Sequence, residues 1–490
     1  MGSRRPEGRP GPEVLPRDDR PETVGRTPRP YRHCVFRWLP PGRALALATA
    51  TTLVLVVVDD GLGPVGILLG VVVATVCLFA LLAHERAGET IPIGPVALAG
   101  AAVLLVAIVV APHDSQDLWS YAMYGRILSI HHTSPWVVTP WHFHSDPYLA
   151  RVAPGWRHTT SIYGPAFELL AAGITGLAGN AATLVRMGFT GTFAGATAIA
   201  AWLVYRRTGR AAATAVVLLH PGIVVGTIAG GHNDVLVGLG LLGAVVLVLD
   251  DRPALAGAAA GAATLVKLTG GIGIVALAAW TFVHRDGRTA TRFAATATGL
   301  VALAYLPVGA SGLSAFVHNR GALSRASAWQ LPRLLTGLDR QHTPIRTGLP
   351  MSDTQLLVTV GALLTATLTF WLAVRLRRSD HPAMPVVAAI GAYLVVAPYV
   401  LPWYPAWIIP ALALVVHRPV ARLLLVQASF LVVVYELKTQ GLSHFEAGIV
   451  WWLAVLASVG FVVAFVITLR RSVRVDAPET TVPVLNLPAG

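Results

Sequence analysis

The chain of 490 residues is poor in charge, in cysteine and in lysine. Only 12% of its residues are charged, about half the share of an ordinary soluble domain, while 54% are hydrophobic. So little charge cannot cover so much apolar surface in water, which excludes a soluble globular protein. The two cysteines, Cys34 in a polar tract and Cys77 in an apolar run, exclude a disulfide framework or a cysteine-rich metal ribbon. Lysine occurs only at Lys267 and Lys438, so the formal net charge of +13 rests on arginine. Those arginines cluster between apolar blocks, which suits cytoplasmic loops beside anionic lipid better than a nucleic-acid partner. There is no Walker loop, no Gly-x-Ser-x-Gly elbow and no soluble domain to hold a nucleotide sugar.

What the chain does have is apolar blocks of about 20 residues, the length that crosses a bilayer as a helix. We therefore expect an all-α, polytopic integral membrane protein. Residues 1–43, rich in Arg and Pro and unlike a cleavable signal peptide, are expected to be a disordered cytoplasmic tail; 473–490 form a shorter one. Residues 44–472 form the transmembrane domain. Placing basic clusters inside predicts about 14 spans, at 44–60, 63–83, 94–112, 182–205, 211–229, 235–250, 254–267, 270–284, 290–309, 355–374, 383–399, 405–417, 419–437 and 446–469. The pairs around Lys267 are short enough to be broken helices. Residues 163–179 are expected as an interfacial or re-entrant helix on the outer side, because a full crossing would put "RRTGR" (206–210) outside. Glu168 in its middle argues the same way. Outer loops then cover 113–181 and 310–354, and both termini are cytoplasmic.

With that topology the unusual polar residues gather on the outer face. The stretch "APHDSQDLWSYAMYGRI" puts Asp114 and Asp117 at the rim of a membrane. Asp117, Tyr121, Tyr124 and Leu128 recur at helical spacing, so they share one face of a surface helix. Partial desolvation there makes Asp117 the candidate proton acceptor, while Asp114 is as well explained as a solvated loop residue or helix cap. "GGHND" (Gly230–Asp234), Lys267 and "LPWYPAW" (Leu401–Trp407) lie on the same side. So do Arg320, Arg325, Arg333, Arg340 and Arg346, a basic loop that runs against the positive-inside tendency and suggests an anionic substrate. Lys267 reads equally as a snorkelling lysine or as a cation for a phosphate. His232, Asn233 and Asp234 read as a helix cap or as part of the site. Tyr and Trp residues of the outer loop, among them Trp119, Trp136, Trp141 and Trp156, are expected mainly as interface anchors.

Two patterns mislead. "GLGLLG" (Gly238–Gly243) matches a dinucleotide fingerprint as a string but lies within an apolar span, so it is expected, like "GAAAG" (Gly257–Gly261), to be a small-residue packing surface. "HFHSDP" in the outer loop offers histidines without metal-ligand spacing, so no metal is expected.

These pieces together resemble the glycosyltransferase-C superfamily, and within it the bacterial polyprenol-phosphate-mannose-dependent α-mannosyltransferases of lipomannan and phosphatidylinositol-mannoside synthesis. The residues carrying the resemblance are "DLWSYAMYGR" (Asp117–Arg126), "YGP" (Tyr163–Pro165), "GGHND", "LVKLTG" (Leu265–Gly270) and "LPWY" (Leu401–Tyr404). "HHTSPW" (His131–Trp136) departs from the Gly-Asn-Pro-Tyr-like string that members often carry, which bears on the acceptor. The resemblance implies a fold with outer juxtamembrane helices, in the bacterial plasma membrane, with an extracytoplasmic site. It implies transfer of a sugar, mannose by analogy, from a polyprenyl phosphate to a glycolipid or mannan acceptor, without a cofactor. Asp117 would be the general base with Asp114 as possible support. Lys267, Arg320, Arg325 and Arg333 would hold the phosphate; Tyr121, Tyr124, Tyr163, His232, Asn233, Asp234, Trp403 and Tyr404 would meet sugar or acceptor. The competing class is a multi-span transporter or flippase for an anionic lipid.

Overall fold

In lipid a backbone must satisfy its hydrogen bonds within the segment, so apolar blocks punctuated by Pro, Gly and Arg should form helices. The computed structural model describes residues 41–58, 62–112, 115–312, 323–336, 353–437 and 444–474, and these contain helices and no strand. The expected tails lie outside the described residues, apart from 41–43 and 473–474, which are helical. Pro41–Gly490 is one compact unit.

The chain opens with α1 (Pro41–Val58), α2 (Pro64–Arg86) and α3 (Ile93–Val109). The segment expected as the outer loop, 113–181, holds α4 (Asp117–Ser129), the single turn α5 (Pro154–Arg157) and α6 (Pro165–Ala178). Then come α7 (Ala182–Thr208), α8 (Ala211–Leu219), the turn α9 (Pro221–Ile223) running into a π-helical turn Val224–Ala229, and α10 (Asp234–Leu249). They are followed by α11 (Pro253–Val266), α12 (Gly271–His284), α13 (Gly287–Tyr305), the short α14 (Gln330–Leu335) and α15 (Asp353–Arg375). The last four are α16 (Ala383–Val396), α17 (Ile409–Leu414), α18 (Pro419–Glu436) and α19 (His444–Arg474).

Among the described residues seven helices are long and apolar enough to cross a membrane: α1, α2, α7, the run Ala211–Ala229, α15, α18 and α19. Six further apolar helices have 10–17 residues. At 1.5 Å per residue the 14 residues each of α11 and α12 reach only about 21 Å, against a hydrocarbon core of about 30 Å. These two are halves of a helix broken at Lys267, whose backbone is extended (φ −142°, ψ 134°). The expected span 405–417 is not one helix. Pro405 and Pro410 divide it into a 3-10 turn, Tyr404–Trp407, and the six-residue α17, because a proline cannot continue the ladder of the preceding turn. The described residues are thus all-helical, with seven helices of full spanning length, as suits a polytopic membrane protein.

The glycine strings pack helices, as expected from their setting. A Cβ on Gly238 would lie 2.1 Å from the Ala406 carbonyl oxygen, and one on Gly257 would lie 2.3 Å from that of Phe293 in α13. Only hydrogen fits there, so α10 lies directly against the backbone of the Tyr404–Trp407 turn and α11 against that of α13. Ion pairs tie the basic loops together: Arg210 with Glu85, Arg207 with Asp250, Arg285 with Asp251 and Arg418 with Asp380. All of these loops fall on the same side in the topology read from the sequence.

Candidate functional site

Asp117 opens α4, and its backbone N–H donates to the Ser115 hydroxyl (3.1 Å). The helix that follows is buried along Leu118 and Ser120–Ile127, so it packs into the protein on more than the one face that its spacing marks. The reason is Gly125: a Cβ there would meet the Ala171 carbonyl at 2.5 Å, so α4 lies directly against α6. The Asp117 side chain keeps 22% exposure, with Oδ2 3.4 Å from His232 Nδ1. That separation is long for a hydrogen bond, and among the described residues His232 Nδ1 has no partner. The carboxylate at the mouth of the site is therefore loosely held.

His232 arrives from the turn after Val224–Ala229 and is itself buried, stacked on Trp403 with ring centroids 3.4 Å apart and planes 12° from parallel. π-helical turns commonly mark functional positions because they re-aim the chain within a helix. The next acid, Asp234, is fully buried in the first turn of α10. Lys267 Nζ donates to both its oxygens (2.8 and 2.9 Å), and the Trp407 indole N–H donates to Oδ1. The ammonium also lies 5.6 Å from the Tyr163 ring centroid, 5.5 Å from that of Tyr404 and 6.0 Å from that of Trp407. Lys267 is thus neither snorkelling nor solitary; Asp234 balances its charge and three rings cage it. The break between α11 and α12 is what brings it there.

Tyr163 is placed by "YGP". The Gly164 N–H donates to the Val266 carbonyl (3.0 Å), and a Cβ on Gly164 would fall 2.1 Å from the Leu265 carbonyl oxygen. A glycine at that point lets the segment before α6 lie against the residues leading to Lys267. Tyr121 meets Tyr163 edge to face at 4.9 Å, and Tyr404 stacks on Trp407 at 4.4 Å. Burial first, and then neighbours that include the Asp117 carboxylate, push the phenols of Tyr121 and Tyr163 well above their ordinary value. Both remain neutral hydroxyls. Tyr121 Oη, His232 Nδ1 and both amide atoms of Asn233 are buried without partners among the described residues. Such groups each cost about 1–3 kcal/mol when left dry, so this is a place prepared for polar company.

The outer segment is held by a clamp that sequence reading did not identify. Arg126 Nε donates to Asp146 Oδ2 (2.8 Å), the Tyr148 N–H donates to Oδ1 (3.0 Å), and His131 Nε2 lies 2.8 Å from Oδ2. Arg126 also donates to the Gly179 carbonyl and lies over the Tyr148 ring. Burial alone would raise the Asp146 carboxyl, but these partners outweigh it and hold it below the ordinary carboxylate value. The sequence offered only a partial signal: 113–162 holds three acids, Asp114, Asp117 and Asp146, as candidate partners for a helix-borne arginine, and nothing local chooses among them. Trp136 is buried with its indole N–H on the Tyr163 carbonyl (2.9 Å), and Tyr124 Oη donates to the Thr159 carbonyl (2.8 Å). These two rings hold the outer segment together and are not interface anchors.

Asp114 and Arg320 lie outside the described residues, as do Arg340 and Arg346. Arg325 is exposed on a segment fixed to 396–400: the Ser324 N–H donates to the Pro398 carbonyl, and the Trp329 indole N–H donates to that of Val396. Arg333 in α14 donates to Gln330 (3.3 Å). Below this segment an apolar cleft of about 500 Å³ opens between α12, α15 and α16, lined by Leu268, Ile272, Ala362, Phe370, Tyr393 and Tyr399 among others. Its upper end adjoins Lys267 through Leu268 and Thr269. The described residues hold no group of three or more His, Cys, Asp or Glu able to bind a metal.

The family described as alpha-(1->6)-mannopyranosyltransferase, N-terminal domain, matches residues 40–284, and the MptB C-terminal domain matches 345–470. A probable alpha-(1->6)-mannopyranosyltransferase of Mycolicibacterium smegmatis is 27% identical over 356 residues, 64% of this chain and 63% of the relative. Two alpha-(1->6)-mannopyranosyltransferases of Mycobacterium tuberculosis are each 26% identical: one over 346 residues (57% of this chain, 58% of the relative), the other over 321 (60% of each). The chain spans about three fifths of the length of the curated relatives it matches.

Proposed function

Because the chain belongs to the alpha-(1->6)-mannopyranosyltransferase family, whose N-terminal-domain model covers half of it, we propose that it is a membrane glycosyltransferase moving a mannosyl unit from a polyprenyl phosphate to a glycolipid or mannan acceptor on the extracytoplasmic face. The observation that carries the reading is the loosely held Asp117 carboxylate beside a wall of neutral tyrosines. Asp117 keeps part of its surface open, and His232 does not tie it up. A proton acceptor needs that freedom.

In this reading the acceptor hydroxyl reaches Asp117, which takes its proton as the oxygen attacks the anomeric carbon. The bond from that carbon to the phosphate oxygen breaks in the same displacement, and the configuration inverts. The departing phosphate monoester gains charge and needs cations, which are stronger partners where water is excluded. Lys267 gives two N–H groups to Asp234 and keeps a third, so it contributes one donor and little net charge. The exposed Arg325 supplies the unbalanced charge from its fixed mount. The apolar cleft starting beside Lys267 suits a polyprenyl chain, since it is almost wholly hydrocarbon-lined.

The test is Asp117→Asn in membranes, assayed with radiolabelled polyprenyl-phosphate mannose. Transfer should fall about 10²–10⁴-fold, the usual contribution of positioned general-base action, at unchanged expression and thermal stability. Turnover within a few-fold of the parent protein would remove Asp117 from the role.

A further inference from the structure

The "HFHSDP" stretch and Trp141 are left unused by the site just described. Trp141 is 43% exposed in a 3-10 turn (Pro140–His142), beside Val137, which is 63% exposed. His144 meets the indole edge to face at 4.8 Å, and His158 meets it at 4.6 Å. Both imidazoles are exposed, and neither forms a hydrogen bond among the described residues. The nearest arginine, Arg157, is spent on the carbonyls of Val152 and Ala150. A part-exposed indole flanked by two exposed imidazoles offers a flat apolar surface together with polar ring nitrogens.

We propose that Trp141, His144 and His158 form an outer subsite for a carbohydrate chain, on which one sugar of an extended acceptor lays its apolar face against the indole while its hydroxyls bond the imidazoles. The proposal rests on the glycosyl-transfer reading and extends it outward from Asp117. The mount is continuous with the site at both ends. Five residues before Trp141, Trp136 donates to the Tyr163 carbonyl; next to His158, the Thr159 carbonyl accepts from Tyr124. The Ser161 N–H closes the loop by donating to the Pro135 carbonyl (2.8 Å). These bonds tie the segment that carries Trp141 and His158 to the tyrosine wall, and on this proposal an extended acceptor runs from that wall along the segment to Trp141. Sugars suit this surface because they carry a C–H face and a rim of hydroxyls. A lipid surface does not, because it would leave the two imidazoles without polar partners.

The full chain in nanodiscs would be compared with Trp141→Ala and Trp141→Tyr, using two acceptors: an octyl monomannoside and an α-(1→6)-linked tetramannoside. Trp141→Ala should raise KM for the tetramannoside about three- to tenfold, the range of one aromatic contact, with kcat unchanged. The monomannoside does not reach Trp141, so its kinetics should stay as they are, and Trp141→Tyr should recover most of the loss. Equal effects on both acceptors, or none, would overturn the proposal. So would quenching by brominated lipids that is lost in Trp141→Tyr, since the indole would then sit in the bilayer. If the parent chain transfers sugar to neither acceptor, the enzyme reading fails by itself. Calorimetric binding of free tetramannoside to the parent and to Trp141→Ala then decides the subsite alone: weaker binding by the variant supports it, and equal or absent binding overturns it.

Discussion

Asp117 and Asp146 sit on the same outer segment, 29 positions apart, and the protein treats them in opposite ways. Asp146 is buried and bonded by Arg126, His131 and the Tyr148 backbone, so every lone pair has a use. Asp117 is open and faces His232 across 3.4 Å. A saturated carboxylate holds a structure together; an unsaturated one at the mouth of a polar cluster is available for chemistry. Residue type did not separate the two; helical spacing drew attention to Asp117 and left Asp146 unremarked. Their partners did.

Breaking the comparison from the Asp117 side should have the largest effect, the 10²–10⁴-fold loss of transfer in Asp117→Asn with stability intact. From the Asp146 side the reverse is expected. Asp146→Ala leaves Arg126 buried without its carboxylate, at a cost of about 3–5 kcal/mol. It should appear as a lower unfolding temperature and rapid proteolysis of the outer segment, with transfer lost only as the protein unfolds. A variant that remains stable but inactive would place Asp146 with Asp117 and end the distinction. Gly164→Ala tests the joint between the two regions. The new methyl would run into the Leu265 carbonyl, so the Tyr163–Lys267 contact should open, at about 1–3 kcal/mol of stability. KM for the donor should rise before the protein unfolds.

The smallest effect is a pH dependence. Asp146 is held below its ordinary value in the folded protein, so it binds a proton more readily when unfolded. Its contribution is complete above the usual carboxylate range and is lost as pH falls through that range towards the lowered folded value. Buffer acidic enough to enter the carboxylate range should therefore loosen this segment of the parent protein, seen as faster amide exchange over 131–164. In Asp146→Asn that acid-dependent step should be absent.

Much of the fold was legible beforehand. Low charge and long apolar blocks imply helices in a membrane whatever their arrangement, and "GLGLLG" and "GAAAG" were readable as packing surfaces because no strand preceded them. The expected span 405–417 was misjudged because hydropathy counts Pro405 and Pro410 as tolerable, whereas the helical ladder does not. The extent to which the helix at Asp117 is buried was not legible for another reason. Periodicity showed which residues share a face, but not that Gly125 would let α6 cover it.

The site was legible as a set of residues and not as a set of pairs. Asp117, His232, Asp234, Lys267, Trp403 and Tyr404 could all be named in advance, since polar and aromatic groups stand out in an apolar chain. Chain order alone settled the membrane class, the glycine seams and which polar and aromatic residues stand out in an apolar chain, because these depend on composition and short spacing. Only the folded molecule could decide that Lys267 belongs to Asp234, that Asp146 belongs to Arg126 and that Asp117 is left free. Such choices depend on which of several possible partners arrives at hydrogen-bonding distance from tens or hundreds of residues away, and local sequence carries no record of that.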